Sequence, residues 1–309
     1  MSYGVRFLEE VKKKIRIIGV PVDLGADRRG VDMGPSAIRY AGLNAKLNQM
    51  GILVEDLGNI HVPQPESREI KDSSLKYLPE ILKVSQELCE MVADAARKGY
   101  IPMVLGGDHS IGIGTLAGMA QIKKRRGVLW FDTHGDFNSP ETTSSGNIHG
   151  MPLAIAMGIG NEQLVSIGGN GPKILQENTV LIGIRNLDVQ ERQSLHKTKV
   201  TVFTMSDIDQ LGMKEVMRRA LDIVTDGTDG VHVSFDLDVI DPAEAPGVGT
   251  PVPGGINYRE AHLAMELVAE AGIMTSMEVA EVNPILDTRN QTAELAVGLI
   301  TSAFGKRIY

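Results

Sequence analysis

The 309-residue chain has a single cysteine, Cys89, so no internal disulfide can form. That cysteine lies in Ser85–Val92, a stretch of helical pattern where a packing role is expected. Basic blocks and stripes are missing. Lys and Arg total 31 against 39 Asp and Glu, for a formal net charge of −8. This balance argues against nucleic acid and anionic membrane as partners. No apolar run approaches the roughly 18 residues that a membrane span needs. The segment Met1–Lys14 is mixed and charged and lacks the apolar core of a signal peptide. Pro/Ser-rich linkers, low-complexity tracts and fixed-period repeats are also absent. The expectation is a cytoplasmic, soluble protein with residues 1–309 forming one domain. A chain 42% hydrophobic and 23% charged suits that size.

What is present is a recurring series of short, β-rich apolar runs: Ile15–Val20, Ile52–Asp56, Ile101–Leu105, Val128–Asp132, Thr179–Ile184, Val200–Thr204, Val231–Asp236 and Met274–Val282. Most are nearly continuous rather than alternating, as in strands buried on both faces. Between them lie amphipathic stretches such as Leu78–Lys98, Met213–Thr225, Tyr258–Ala271 and Thr292–Phe304. Strand and helix in alternation imply a mostly parallel sheet covered by helices. Periodicity alone leaves a closed barrel and an open doubly wound sheet as alternatives. In either, ligand sites lie beyond the carboxyl ends of the strands.

Two acidic segments fall at such ends: Asp132-Thr-His134-Gly-Asp136 and Asp236-Leu-Asp238. If both stretches are extended, alternate residues share a face. Asp132, His134 and Asp136 then project together, as do Asp236 and Asp238, with Thr133 turned away. Four carboxylates so gathered repel one another unless cations lie between them, and two divalent ions would balance the charge. His109 follows a third strand end in Gly106-Gly-Asp-His109-Ser. Carboxylates with one or two imidazoles and no thiolate favour a hard metal such as Mn²⁺ over structural Zn²⁺. Taken singly, Asp236 and Asp238 could equally cap the next element.

Gly112-Ile-Gly114 lacks the spacing of a nucleotide-binding loop, so close packing is the expected role of these glycines. The loop from Asn138 to His149 is rich in hydroxyls and amides. It suits a small polar ligand at the metals, with His149 moving protons, and it equally suits an ordinary surface loop. Glu281 sits in an apolar run where an unpaired carboxylate is costly. A cationic substrate or a structural salt bridge would supply a partner. Glu278 has the opposite parity and is expected to face away from the site.

Together these residues resemble the ureohydrolase family and, within it, the bacterial-type arginases. The likeness runs from Gly19-Val-Pro-Val-Asp-Leu-Gly25 and Gly30-Val-Asp-Met-Gly-Pro-Ser36 to Glu281-Val-Asn-Pro284. It implies a three-layer α/β/α sandwich with a mostly parallel eight-stranded sheet, and two Mn²⁺ per subunit. By motif, His109 and Asp136 would hold one ion, His134 and Asp238 the other, and Asp132 and Asp236 would bridge both. Asn138, Thr143 and Ser145 would contact a substrate α-carboxylate. Asp188 would take the α-ammonium with Glu191 nearby, and Thr250 would shape the wall. The implied reaction is hydrolysis of L-arginine to L-ornithine and urea by a metal-bridging hydroxide, with Asp136, His149 and Glu281 as catalytic residues. Agmatine or another guanidino compound is the alternative substrate. A homo-oligomer is implied too, a hexamer ahead of a trimer. Thr133 and Val239 depart from the family pattern without removing a ligand, and the β-branched Val239 beside Asp238 could shift that ligand or alter the metal preference.

Overall fold

Eight strands form in the computed structural model of the chain, which describes residues 13–122 and 125–307. They are β1 Lys14–Val20, β2 Leu53–Asn59, β3 Ile101–Gly106, β4 Gly127–Phe131, β5 Thr179–Ile184, β6 Thr201–Thr204, β7 Val231–Asp236 and β8 Met274–Ala280. The reading of Met1–Lys14 falls, for residues 1–12, outside the described residues.

All strand pairs run parallel, in the order β2-β1-β3-β8-β7-β4-β5-β6. The sheet is open, with β2 and β6 at its edges, so it is not a barrel. β8, last in the chain, lies between β3 and β7. Side chains alternate across the sheet as the pleat requires. In β4, Leu129 and Phe131 join the core of one face, while Val128 and Trp130 join that of the other. Helices Met213–Thr225, Tyr258–Ala271 and Gln291–Ala303 cover the first face. Helices Leu78–Arg97 and Ile111–Ala120 cover the second. The result is the three-layer sandwich.

Helix Leu78–Arg97 buries Ile81, Val84, Leu88, Val92 and Ala95, a spacing of three and four residues that puts one stripe against its neighbours. Pro79 occupies its first turn, where no amide partner is lost. Helix Ile111–Ala120 packs tightly against it. A Cβ on Gly114 would lie 2.7 Å from Ser85 O, and one on Gly118 2.5 Å from Cys89 O. Cys89 is accordingly a buried packing residue.

Candidate metal centre

The four central strands, β3, β8, β7 and β4, deliver the chemistry at their carboxyl ends. After β3 the chain turns through Gly107 and Asp108, whose amides donate to Val20 O and Val22 O. Asp108 Oδ2 then accepts the amides of Gly25 (2.7 Å) and Ala26 (3.1 Å). His109 follows, buried and stacked on Trp130 with ring centroids 4.3 Å apart.

The strand-parity expectation for the acidic segments fails. β4 stops at Phe131, and the backbone then bends so that Asp136 takes the left-handed region at φ 48°. Asp238 sits on a short 3₁₀ turn, Leu237–Val239, that follows β7. β8 stops at Ala280, so Glu281 lies outside the strand at φ 66°. The side chains converge because the backbone leaves the sheet, not because a strand continues.

Their convergence is close. His109 Nδ1 lies 3.1 Å from Asp132 Oδ2, 3.0 Å from Asp136 Oδ2 and 3.2 Å from Asp236 Oδ2. His134 Nδ1 lies 3.1 Å from Asp238 Oδ2 and 3.5 Å from Asp132 Oδ1. Two ligand groups result, His109-Asp132-Asp236 and Asp132-His134-Asp238, which share Asp132. Ligand atoms about 2.1–2.2 Å from an octahedral ion stand about 3.0–3.1 Å apart along each edge, so these spacings match an ion's first shell. His109 Nδ1 and Asp136 Oδ2 are buried without an aligned hydrogen bond, as atoms awaiting a cation are. The donor set of carboxylates and imidazoles without sulfur fits Mn²⁺. Asp236 turns Oδ1 to the Asp238 amide at 2.8 Å and Oδ2 to His109.

Without cations the carboxylates load protons onto their neighbours. Burial disfavours a charged His134, yet the charge of Asp238 and the bonds to both carboxylates outweigh it and push it up to about 12. Burial likewise opposes a charged His109, but Asp132, Asp136 and Asp236 raise it well above the usual histidine range. Burial and then the charge of Asp132 push Asp136 up to about 6. Burial and the charges of Asp238 and Asp132 raise Asp236.

A cleft opens over these groups, lined by His109, His134, Asp136, Asp236 and Asp238 below. Asn138, Thr143, Ser145, His149, Asp188, Glu191 and Thr250 form its walls, with Asn147 and Asn186. Asp132 and Glu281 are buried against these lining residues, Asp132 beside His109 and Glu281 beside His149. Asn138 Nδ2 reaches Asp188 Oδ2 at 3.4 Å, and Thr250 Oγ1 donates to Asp238 Oδ2 at 3.0 Å. The His149 amide donates to Gly25 O, and Asn147 Nδ2 to Ala26 O at 2.9 Å. Asp108 thus anchors, through residues 25 and 26, the loop that carries His149. Glu191 accepts the amides of Phe137 (2.9 Å) and Asp188 (3.3 Å). Burial pushes it up to about 7. Glu281 Oε1 accepts the His109 amide at 3.0 Å and lies 2.9 Å from His149 Nδ1. Its Oε2 is buried without a partner.

Both departures from the family pattern touch the turn that carries Asp238. Thr133 Oγ1 donates to Asp238 O at 2.6 Å and its amide to Asp238 Oδ1 at 3.2 Å. Val239 turns away from the ligands into space left by Gly183, where a Cβ would lie 2.3 Å from Val239 Cγ2. Asp238 keeps its place beside His134. Sequence reasoning assigned no role to Trp130, whose Nε1 donates to Asp132 Oδ2 at 3.0 Å. Nor did it assign one to Ser234, 2.7 Å from His109 Nε2, or to the Arg185 guanidinium, which donates to Asp238 O at 2.8 Å. A lone arginine just past a continuous apolar strand was the one available signal.

An open parallel α/β sandwich with carboxylates and imidazoles gathered at its central strand ends is the arrangement of a metal-dependent α/β enzyme. Within that class the chain belongs to the arginase family, whose profile matches residues 13–305. It is 53% identical over 296 residues to an arginase of Bacillus subtilis (strain 168), covering 96% of this chain and 99% of that one. The solved arginase of Bacillus caldovelox superposes with a TM-score of 0.94 at 52% identity, covering 96% of this chain and all of that one. An Entamoeba histolytica arginase solved in complex with L-ornithine superposes at 0.88 and 35% identity, covering 96% and 99%. The chain is therefore a hydrolase of arginase type.

Proposed function

We propose that the protein hydrolyses L-arginine to L-ornithine and urea, using two Mn²⁺ ions. One observation carries the substrate choice. The cleft pairs an anionic floor for a guanidinium with a rim of Asn138, Thr143 and Ser145 facing Asp188. Such a rim offers donors to a carboxylate and an acceptor to an ammonium, the two groups of an α-amino acid. Agmatine has no carboxylate and would leave those donors unused. The Entamoeba histolytica relative's complex with L-ornithine agrees with this reading.

In this reading His109, Asp136, His134, Asp238, Asp132 and Asp236 would together hold the two ions. When bound, the ions supply Lewis-acid polarisation and acidify a water at neutral pH. Glu281, with Oε2 unpartnered, receives a guanidinium N–H and orients its carbon. As water adds and the C–N bond to the departing amine breaks, Asp136 passes the water's proton to that nitrogen. His149 exchanges protons with solvent. Its side chain is 20% exposed and its Nδ1 faces Glu281. Burial disfavours its charge, but Glu281 pushes it up to about 9.

Urea release from L-arginine, agmatine and 4-guanidinobutyrate after Mn²⁺ loading tests the reading. Arginine should be turned over fastest, and equal turnover of agmatine overturns the substrate assignment. His149→Asn should slow turnover while metal content stays intact. Asp132→Asn should lose both metal and activity, and full activity with both ions bound would refute its bridging role.

The single-domain reading is supported by one sheet joining strands from Lys14 to Ala280. No described helix is long and apolar enough to cross a membrane. A cytoplasmic homo-oligomer, hexameric rather than trimeric, completes the proposal, and sedimentation equilibrium measures its stoichiometry.

A further inference from the structure

On the sheet face covered by Ile111–Ala120 lies a fully buried carboxylate that the proposed reaction does not use. Glu278 of β8 stands in register with Ser234 of β7 and Val104 of β3. Its Oε1 is 3.3 Å from His232 Nε2 and 3.9 Å from His109 Nε2. His232 Nδ1 meets Ser276 Oγ at 2.9 Å. Glu278 and both histidines are at most 1% exposed. One carboxylate therefore sits between two imidazoles, and one of those is the His109 ring of the His109-Asp132-Asp236 ligand group.

The His109 ring has two ends with opposite surroundings. Nδ1 faces Asp132, Asp136 and Asp236. Nε2 faces Ser234 Oγ at 2.7 Å, with Glu278 behind. An imidazole that binds an ion through Nδ1 must be neutral and must carry its proton on Nε2. A hydroxyl acceptor and a nearby anion favour that tautomer and make Nδ1 a stronger donor, as carboxylates behind metal-bound histidines do generally. Trp130, stacked on the ring, holds its plane. A purely structural role is a poor account of the carboxylate, because apolar residues fill a buried space at no charge-burial cost.

We propose that Glu278 is a positioning residue of the metal centre, which directs His109 Nδ1 toward the ion and sets how tightly that ion is held. This rests on the two-ion reading above, and it assigns work to an anion lying behind the ligands rather than among them.

The test is Mn²⁺ binding to the full chain, read as free Mn²⁺ by electron paramagnetic resonance, for wild type, Glu278→Gln and Glu278→Asp. Glu278→Gln keeps the shape and removes the charge. One ion of the pair should weaken about 10–100-fold while the other stays within about threefold. The spin-coupled signal of the dinuclear centre should give way to a mononuclear one at limiting metal, and activity should return at saturating Mn²⁺. Glu278→Asp should recover part of the affinity. If Glu278→Gln binds both ions as wild type does, the proposal is overturned. The same follows if it only lowers the unfolding temperature of the metal-free protein. If Glu278→Gln does not fold, Ser234→Ala serves instead: it takes away the Nε2 acceptor, and the same one-ion weakening is expected. Unaltered binding there also overturns the proposal. A wild type that binds fewer than two Mn²⁺ would instead sink the two-ion reading itself.

Discussion

Replacing Arg185 by methionine keeps an unbranched apolar stem and removes the guanidinium with its hydrogen-bond donors. The guanidinium donates to Val252 O from Nη2 at 2.7 Å and from Nε at 3.2 Å, to Asp238 O at 2.8 Å, to Val239 O at 3.1 Å and to Gly183 O at 3.3 Å. It thereby ties the turn carrying Asp238 to the segment that follows Thr250. Each hydrogen bond to a charged donor contributes about 1.5–3 kcal/mol net, but these share one half-buried cation and water can re-solvate some of the carbonyls. Burial disfavours the charged guanidinium and lowers its pKa, which offsets part of the gain. The expected loss for Arg185→Met is about 3 kcal/mol. Arg185→Lys should lose about 1–2 kcal/mol, because an ammonium lacks the planar fork and cannot reach every carbonyl at once. Urea-induced unfolding of the metal-free protein measures both, provided the denaturant slope is unchanged. A loss below about 0.5 kcal/mol for Arg185→Met would refute the clamp.

Gly183→Ala should destabilise by about 2–4 kcal/mol, since φ is 97° and the new Cβ would meet Val239 Cγ2. Adding Val239→Ala should relieve the clash and leave the backbone penalty, so full recovery in thermal unfolding would contradict the φ argument. Asp23 is pushed up to about 6 from 3.8, by burial and then by Asp32, against the pull of Arg29. The folded state thus binds its proton more tightly than the unfolded state does. That contribution is complete below about pH 3.8 and is lost as pH rises through about 6, a change of about 3 kcal/mol. The stability difference between wild type and Asp23→Asn should fall by that amount between pH 4 and 7, and a flat difference would refute it. Mn²⁺ uptake should release protons, because His134, at about 12 without an ion, must shed one to become a ligand. Calorimetry in buffers of different ionisation enthalpy reads this, and no proton release would count against His134 as a ligand.

The strands were legible because burial on both faces writes itself as continuous apolar runs. Thr179–Ile184 and Val231–Asp236 match the predicted bounds, and the other strands differ by one to three residues at one or both ends. Strand ends were less legible, and the site depends on them. The alternation argument for Asp132, His134 and Asp136 assumed a strand that the chain abandons at Phe131, and Glu281 lies beyond β8 rather than within it. The grouping was right for another physical reason: left-handed backbone at Asp136 and Glu281, and a helical turn at Asp238. Arg185 and Asp108 escaped notice because their partners are backbone carbonyls and amides, which leave no trace in residue type. Parity did turn Glu278 away from the cleft, but only the register of β3, β7 and β8 brings it behind His109.

The place of β8 has a consequence for how the molecule comes together. Until that strand docks, β2-β1-β3 and β7-β4-β5-β6 are two half-sheets with no strand pairing between them. His109 belongs to the first, while Asp132, His134, Asp136, Asp236 and Asp238 belong to the second. The closing contacts join Met103 to Met277 and Val233 to Met277. The first of these spans most of the chain, the kind of pairing that forms slowly and late. A folding chain would therefore hold most of the proposed ligands for some time before His109 is docked against them. On the two-ion reading, tight capture of the pair would wait until the last strand is in and would mark a finished fold.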